Sequence, residues 1–139
     1  MIELTKENEF KLTPELLEAS ISDKTKAILL NYPNNPTGGF MEYEDYAKIV
    51  PIIKKHELIV ITDEIYAELS YDKKFYSIAS FDEIKDQVIL ISGFSKAYAM
   101  TGWRLGYVLA HKVFIQAMNK IHQYIICLLY TSPSPRDCS

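Results

Sequence analysis

One lysine, Lys96, stands in a stretch whose residue types suit the chemistry of a reactive amine. It lies in the segment 95–106, which reads SKAYAMTGWRLG, with Arg104 eight positions downstream. A lysine whose pKa is lowered by desolvation or by a nearby cation can form a Schiff base. The planar guanidinium of Arg104 suits bidentate binding of a phosphate group. Lys96 and Arg104 are therefore the first two candidate site residues.

Two upstream segments supply polar groups of other kinds. Asp63, in the segment DEIY at 63–66, offers a fixed negative charge that can hold a heterocyclic nitrogen protonated. Tyr66 can donate to an oxygen of the same ring, and Asn35, in NNPTG at 34–38, can both donate and accept. A lysine, a phosphate ligand and an acid partner for a ring nitrogen together describe a site for pyridoxal 5'-phosphate.

Each motif has a plainer interpretation when it is taken alone. Residues 34–38 by themselves are typical of a turn. Asp63 and Glu64 by themselves are compatible with a strand end that faces water, and we keep that interpretation for Glu64. Met100 and Trp103 are better explained by packing than by chemistry. It is the combination of the motifs that favours a cofactor site.

Alternating strand and helix patterns predict the elements that position these residues. Continuous apolar runs predict strands at 26–31, 58–62 and 88–92, the second with both faces buried, and 104–110 is a fourth candidate. A helix is predicted at 14–20 behind the N-cap Thr13, a second at about 42–56, and a third at 112–124. Pro51 should kink or divide the second helix.

Alternating units of this kind predict an α/β fold, with a mainly parallel sheet and helices on its faces. In such open sheets, ligands bind outside the carboxyl ends of the strands. Three of the predicted strands end in polar clusters, at 31–38, 63–66 and 92–96. We therefore expect these clusters to open into one crevice.

Taken together, the three motifs resemble those of class I/II aminotransferases, which are fold-type-I enzymes dependent on pyridoxal 5'-phosphate. The resemblance covers nearly all of residues 1–126 and is nearest to the aspartate/aromatic/alanine subgroup. It implies that this segment is the second half of the large cofactor-binding domain. It also implies a homodimeric enzyme that moves an amino group between an amino acid and a 2-oxo acid through a lysine aldimine.

The resemblance further implies a role for most of the candidate residues. Lys96 would form the aldimine and then act as base and acid in the 1,3-proton shift. Asp63 would pair with the pyridine nitrogen, and Arg104 would bind the phosphate. Tyr66 and Asn35 would contact the ring hydroxyl, and Asn35 would also touch the substrate carboxylate.

The chain departs from the family pattern at one position. Many relatives have a serine three residues before the lysine, where this chain has Gly93. A hydroxyl contact with the phosphate must then come from Ser95 or from elsewhere. Ser95 is therefore a candidate cofactor-binding residue on weaker grounds than Arg104.

Two other functions remain open on the same residues. A carbon–sulfur β-lyase of this fold would share Lys96, Asp63, Tyr66 and Arg104. A cofactor-binding sensor domain of a winged-helix transcription regulator would also keep them, and would act as a binding module. The sequence of residues 100–104, MTGWR, favours transamination. The full parent gene would decide among aminotransferase, lyase and transcription regulator.

Composition excludes several classes of function. The chain has 139 residues, 48% hydrophobic and 24% charged, with a net charge of −3, so the basic face that nucleic-acid binding requires is not expected. The first residues lack the apolar run of a signal peptide, and no stretch approaches the roughly 18 apolar residues of a membrane helix. We expect a soluble, cytoplasmic protein. The three histidines lack partners at metal-binding spacing, so no metal is predicted.

The last residues differ in character from the rest. Residues 127–137 resemble the in-frame translation of a transposase-type sequencing adapter, so 127–139 is predicted to be a non-native tail and 1–126 a partial cofactor-binding domain. Both cysteines lie in that tail, which leaves no disulfide to predict. The resemblance implies further parts elsewhere: a ring-stacking aromatic, a phosphate loop, a substrate-carboxylate arginine and a dimer partner. We therefore expect an inactive fragment.

Overall fold

The computed structural model describes residues 2–125, which form a four-stranded sheet and three α-helices. The predicted tail, 127–139, lies outside the described residues and stays a prediction. The elements run in the order α1 (Pro14–Ser20), β1 (Ala27–Asn31), α2 (Tyr43–Lys55), β2 (Ile59–Asp63), β3 (Val88–Gly93), β4 (Gly106–Ala110) and α3 (Lys112–Ile125). Every predicted strand and helix is present, with its ends within two residues of the expected positions. The α/β prediction is therefore confirmed.

The strands lie in the order β1-β2-β3-β4, with the first two pairings parallel and the last antiparallel. Asp63 is in register with Asn31 on one side and with Ile91 on the other. The carboxyl ends of β1, β2 and β3 therefore share one edge of the sheet. Because β4 returns antiparallel from that edge, the connecting segment 94–105, which carries Lys96, lies there too.

The helices begin and end where local chemistry dictates. The hydroxyl of Thr13 accepts a 3.4 Å hydrogen bond from the amide of Leu16, and Pro14 occupies the first turn of α1, where its missing N–H costs nothing. Helix α2 continues through Pro51, so this proline does not divide the helix. Val50 and Ile52, on either side of it, are buried in the core, and this packing holds the helix together across the break in its hydrogen bonding.

The core lies on one face of the sheet. Ile28, Val60 and Val88 are in register across β1, β2 and β3, and all three are buried. They pack with Tyr46 of α2, which is completely buried, and with the turn that contains Ile78. Helices α1 and α2 and the segment 78–84 thus cover this face.

The opposite face is much less covered, which corrects the prediction that β2 is buried on both faces. Ile59 and Ile61 alternate with the buried positions of β2 and are only half-buried. Leu29, the neighbour of Ile61 on β1, is 72% exposed, and Ile91 on β3 is 38% exposed. Residues 2–125 cover one face of the sheet, whereas the apolar sequence of these strands is typical of a sheet that is covered on both faces.

Candidate active site

Three of the predicted site residues form one cluster at the carboxyl edge of the sheet. The side-chain amide nitrogen of Asn35 donates a 3.0 Å hydrogen bond to the hydroxyl of Tyr66. The ammonium nitrogen of Lys96 lies 5.6 Å from the centre of the Tyr66 ring, within the range of a cation–π contact. The loops after β1, β2 and β3 each contribute one of these residues. The three polar segments therefore do come together at this edge of the sheet.

The loop after β1 is held in shape by its own hydrogen bonds. The side-chain oxygen of Asn34 accepts from the amide and the hydroxyl of Thr37, at 3.3 and 2.7 Å. The amide of Gly38, at φ 72°, donates to the backbone carbonyl of Asn34 at 2.9 Å. At the start of the loop, the buried Tyr32 donates from its hydroxyl to the carbonyl of Phe10 at 2.9 Å. These hydrogen bonds define the loop conformation from which Asn35 extends.

Asp63 is the last residue of β2 and is half-buried. One carboxylate oxygen, Oδ1, accepts a 3.1 Å hydrogen bond from the amide of Ile65, which turns the chain out of the strand. Side chains alternate along a strand, so Asp63 lies on the less covered face, together with Ile61. Its carboxylate therefore stands at the rim from which the Asn35–Tyr66–Lys96 cluster is built.

Lys96 lies in a compact turn that follows β3. The carbonyl of Phe94 accepts from the amides of Tyr98 and Met100, at 3.2 and 3.4 Å, and the carbonyl of Lys96 accepts from the amide of Ala99 at 3.4 Å. The Phe94 ring packs against Tyr98, with 5.8 Å between the ring centres. The Lys96 side chain itself is exposed. The turn thus fixes the backbone and leaves the amine free to reach a ligand.

The structure does not join Arg104 to that cluster. Arg104 is exposed, has φ 52° in the left-handed region, and donates from Nη1 to the carbonyl of Thr101 at 3.2 Å, within its own turn. Ser95 is half-buried beside Lys96 in the turn after β3. Both residues thus lie in the segment 94–105, on the same edge of the sheet as the cluster.

Gly93 has a clear structural reason to lack a side chain. It pairs with Gly106 where β3 meets β4, and a Cβ atom built on it would lie 2.9 Å from the carbonyl oxygen of Leu105 and 3.2 Å from the Cα of Gly106. Real Cβ atoms essentially never approach backbone so closely. A serine here would require the two strands to move apart.

The prediction that Glu64 faces water is wrong. Glu64 is 4% exposed, and its Oε1 accepts hydrogen bonds from the hydroxyls of Ser77, at 2.8 Å, and Thr62, at 3.2 Å. Burial raises the pKa of the Glu64 carboxyl, and these hydrogen bonds lower it only in part. Alternation from the buried Thr62 was the sequence signal that placed Glu64 on the core face.

Two negative findings apply to residues 2–125. Within this range there is no group of three or more His, Cys, Asp or Glu side chains arranged to hold a metal ion. None of the helices there is long and apolar enough to cross a membrane.

Known proteins match this chain closely in sequence and in structure. The sequence profile of the family "Aminotransferase class I and II" matches residues 1–136, and the chain therefore belongs to the class I and II aminotransferases. It is 50% identical over 123 residues to the YugH protein of Bacillus subtilis and 45% identical over 119 residues to the aspartate aminotransferase of Pyrococcus abyssi. These alignments cover 88% and 85% of this chain.

A solved structure shows the same fold. The aromatic aminotransferase of Pyrococcus horikoshii superimposes with a TM-score of 0.86 at 42% identity, over 89% of this chain and 34% of that one. The chain spans about a third of the length of the curated relatives it matches, 32% of the Bacillus protein and 31% of the Pyrococcus abyssi enzyme. Enzymes of this family generally depend on pyridoxal 5'-phosphate. The matches favour neither a lyase nor a transcription regulator.

Proposed function

We propose that the protein containing this segment is a pyridoxal-phosphate-dependent aminotransferase that moves an amino group between an amino acid and a 2-oxo acid. The observation that carries the proposal is the Asn35–Tyr66–Lys96 cluster, placed beside Asp63 at the carboxyl edge of the sheet. Membership of the aminotransferase family supports transamination as the reaction. The cluster supplies the hydrogen-bond donors of Asn35 and Tyr66 and the amine of Lys96, which this reaction requires.

The chemistry of the side chains at the rim fits the cofactor. The Asn35 amide is hydrogen-bonded to the Tyr66 hydroxyl, and the Lys96 ammonium group lies over the ring of Tyr66, so the cluster suits a ligand rich in anionic oxygens. Asp63 adds a carboxylate whose Oδ1 accepts from the Ile65 amide, and whose Oδ2 would pair with a protonated ring nitrogen. The bound cofactor would supply an electron sink next to the reacting carbon.

Each residue would then have a distinct task. Lys96 would hold the cofactor covalently and, once released, would carry a proton at its Nζ atom between two positions of the substrate. Tyr66 would donate from its hydroxyl to the ring oxygen, with Asn35 orienting that hydroxyl through their hydrogen bond. Asp63 would keep the ring nitrogen protonated by its negative charge.

The segment 94–105 would bind the phosphate group of the cofactor. Arg104 provides a planar fork for two phosphate oxygens, for which its side chain must leave the Thr101 carbonyl. Ser95 would add a hydroxyl, because Gly93 stands at the position where many relatives have a serine. We further propose that the intact enzyme is a homodimer, as is common among aminotransferases.

The test is to express the full-length protein that contains residues 2–125 and to supply pyridoxal 5'-phosphate. A panel of amino acids is offered with 2-oxoglutarate, and formation of the new 2-oxo acid is followed for the wild type and for Lys96→Ala. Dependence of the reaction on both substrates and on Lys96 supports transamination. Release of a thiol, ammonia and pyruvate from cystathionine or a cysteine conjugate, with no requirement for 2-oxoglutarate, would instead identify a carbon–sulfur lyase.

A further inference from the structure

Glu64 lies between two proposed cofactor-binding residues, Asp63 and Tyr66, yet points away from the cofactor site. Its carboxyl group is buried against the core face, where Oε1 accepts from Ser77 at 2.8 Å and from Thr62 at 3.2 Å. A buried carboxyl group that is held by two hydroxyls is costly to keep unless its bonds do something for the fold or the site. The role of this carboxyl group therefore depends on which segments its hydrogen-bond partners hold in place.

Ser77, the partner of the Glu64 carboxyl, is held in place by a hydrogen bond of its own. Its hydroxyl oxygen accepts a 3.0 Å hydrogen bond from the amide of Ala79 and so caps the short turn Ile78–Ser80. Ile78 in this turn is completely buried in the core. The hydrogen bond from Ser77 to Glu64 closes the excursion 65–76, which carries Tyr66 at its second position and reaches outward to Tyr71, 86% exposed.

The backbone of Glu64 is tied down as well. Its amide donates to the carbonyl of Ile91 at 2.9 Å, which extends the β2–β3 pairing by one residue beyond Asp63. Its carbonyl accepts from the amide of Ala67 at 3.0 Å and from the hydroxyl of Ser92 at 3.4 Å. Side chain and backbone together fix the position of this residue at the strand end.

We propose that Glu64 is a positioning residue, whose carboxyl group, by binding Ser77, fixes the strand end and the excursion from which Asp63 and Tyr66 reach the cofactor. This proposal rests on the proposed function. It predicts that loosening the excursion at Ser77 weakens cofactor binding through Tyr66, although neither Glu64 nor Ser77 touches the cofactor.

The experiment is a double-mutant cycle in the full-length protein, with the dissociation constant of pyridoxal 5'-phosphate measured by absorbance titration well below the unfolding temperature. The variants are Ser77→Ala, Tyr66→Phe and the two combined. Ser80→Ala is the matched control, because the Ser80 hydroxyl lies in the same turn, is exposed and donates to the carbonyl of Ser77 rather than to Glu64. Loss of the Ser77 hydrogen bond should weaken cofactor binding about fivefold, the equivalent of one ordinary hydrogen bond.

If Ser77 acts through Tyr66, the combined variant should bind little worse than Tyr66→Phe alone, since the two residues then share one effect. Ser80→Ala should match the wild type. Glu64→Gln keeps an acceptor oxygen for Ser77 and should bind the cofactor within about twofold of the wild type, whereas Glu64→Ala should lose at least as much affinity as Ser77→Ala. If Glu64→Ala fails to fold, the double-mutant cycle of Ser77→Ala and Tyr66→Phe still tests the proposal.

Two results would overturn the proposal, and they differ in what else they overturn. Independent, multiplicative losses in the combined variant, or equal affinity in Ser77→Ala and Ser80→Ala, would show that the Glu64–Ser77 contact is structural only and would leave the proposed function intact. A wild-type protein that does not bind pyridoxal 5'-phosphate would overturn both.

Discussion

The side-chain amide of Asn35 donates a hydrogen bond of 3.0 Å to the hydroxyl of Tyr66, and so joins the loop after β1 to the loop after β2. The two residues are 31 positions apart, and the parallel register of β1 and β2 is what brings them together. The contact orients the phenol hydroxyl before any ligand arrives. An oriented donor loses less freedom on binding, which favours tight cofactor binding.

Lys96 is expected to be the residue that holds the cofactor. After reduction with borohydride, the full-length protein should carry the cofactor on the peptide that contains Lys96, and Lys96→Ala should abolish both this label and the visible absorption band. Peptide mapping by mass spectrometry checks the site. Lys120→Ala, at an exposed position on α3, serves as the control and should be labelled like the wild type. A label on any other peptide would contradict the assignment.

Asp63→Asn is expected to reduce turnover far more than cofactor retention. The amide lacks the negative charge that keeps the ring nitrogen protonated, so the electron sink weakens, while Arg104 still binds the phosphate. The loss should be about 3 kcal/mol of transition-state stabilisation, or about a hundredfold in rate. Steady-state rates at saturating cofactor measure it, and an unchanged rate would exclude the proposed role of Asp63.

Arg104→Lys is expected to weaken cofactor binding about tenfold, although it keeps the charge, because an ammonium group cannot reproduce a bidentate fork. The backbone at this position is left-handed, with φ 52°, and that conformation costs lysine and arginine alike. The difference in cofactor affinity between Arg104→Lys and the wild type therefore reports the effect of the side-chain head group alone. Equal dissociation constants in a titration with pyridoxal 5'-phosphate would refute the phosphate role.

Glu64→Gln is expected to change how stability depends on pH. Burial raises the pKa of Glu64 in the folded protein above its ordinary value of 4.5, with the nearby Asp63 charge acting in the same direction. The wild-type carboxyl is therefore best tolerated below pH 4.5, and stability is lost as the pH rises through the folded pKa. Glutamine does not ionise.

The free energy of unfolding of Glu64→Gln, relative to that of the wild type, should consequently rise with pH over this range. Urea denaturation of the full-length protein at several pH values measures the difference. Glu83→Gln, at an exposed position, controls for the loss of one carboxylate. A difference that is constant with pH would mean that Glu64 ionises as easily in the folded protein as in the unfolded chain.

The 139-residue chain by itself is not expected to transaminate. Within residues 2–125, β1 and β4 are the outer strands of the sheet, and Leu29, Leu109 and Tyr124 are 72, 59 and 89% exposed. Such edges and apolar surfaces promote association. With pyridoxal 5'-phosphate, amino acids and 2-oxoglutarate present, 2-oxo acid formation should not exceed that of the free cofactor. Sedimentation should show oligomers, and clear turnover by a monomer would contradict this expectation.

The sequence alone was sufficient to predict the strands and helices and the edge of the sheet at which the candidate site residues lie. The apolar runs that became β1, β2 and β3 and the cap at Thr13 are local signals, because a strand or a helix end is largely specified by its own neighbours. The general rule for parallel sheets then placed Asp63 and Lys96 at one edge, and the structure places both there.

Tertiary structure alone decided how those residues meet and which faces are buried. The Asn35–Tyr66 hydrogen bond and the return direction of β4 depend on contacts between distant segments, which local sequence does not encode. The hydrogen bond that satisfies the buried carboxyl of Glu64 comes from Ser77, 13 residues away, and is equally a tertiary contact. The exposure of a side chain likewise depends on the tertiary structure around it: Leu29 has the sequence context of a buried residue, yet residues 2–125 leave it 72% exposed.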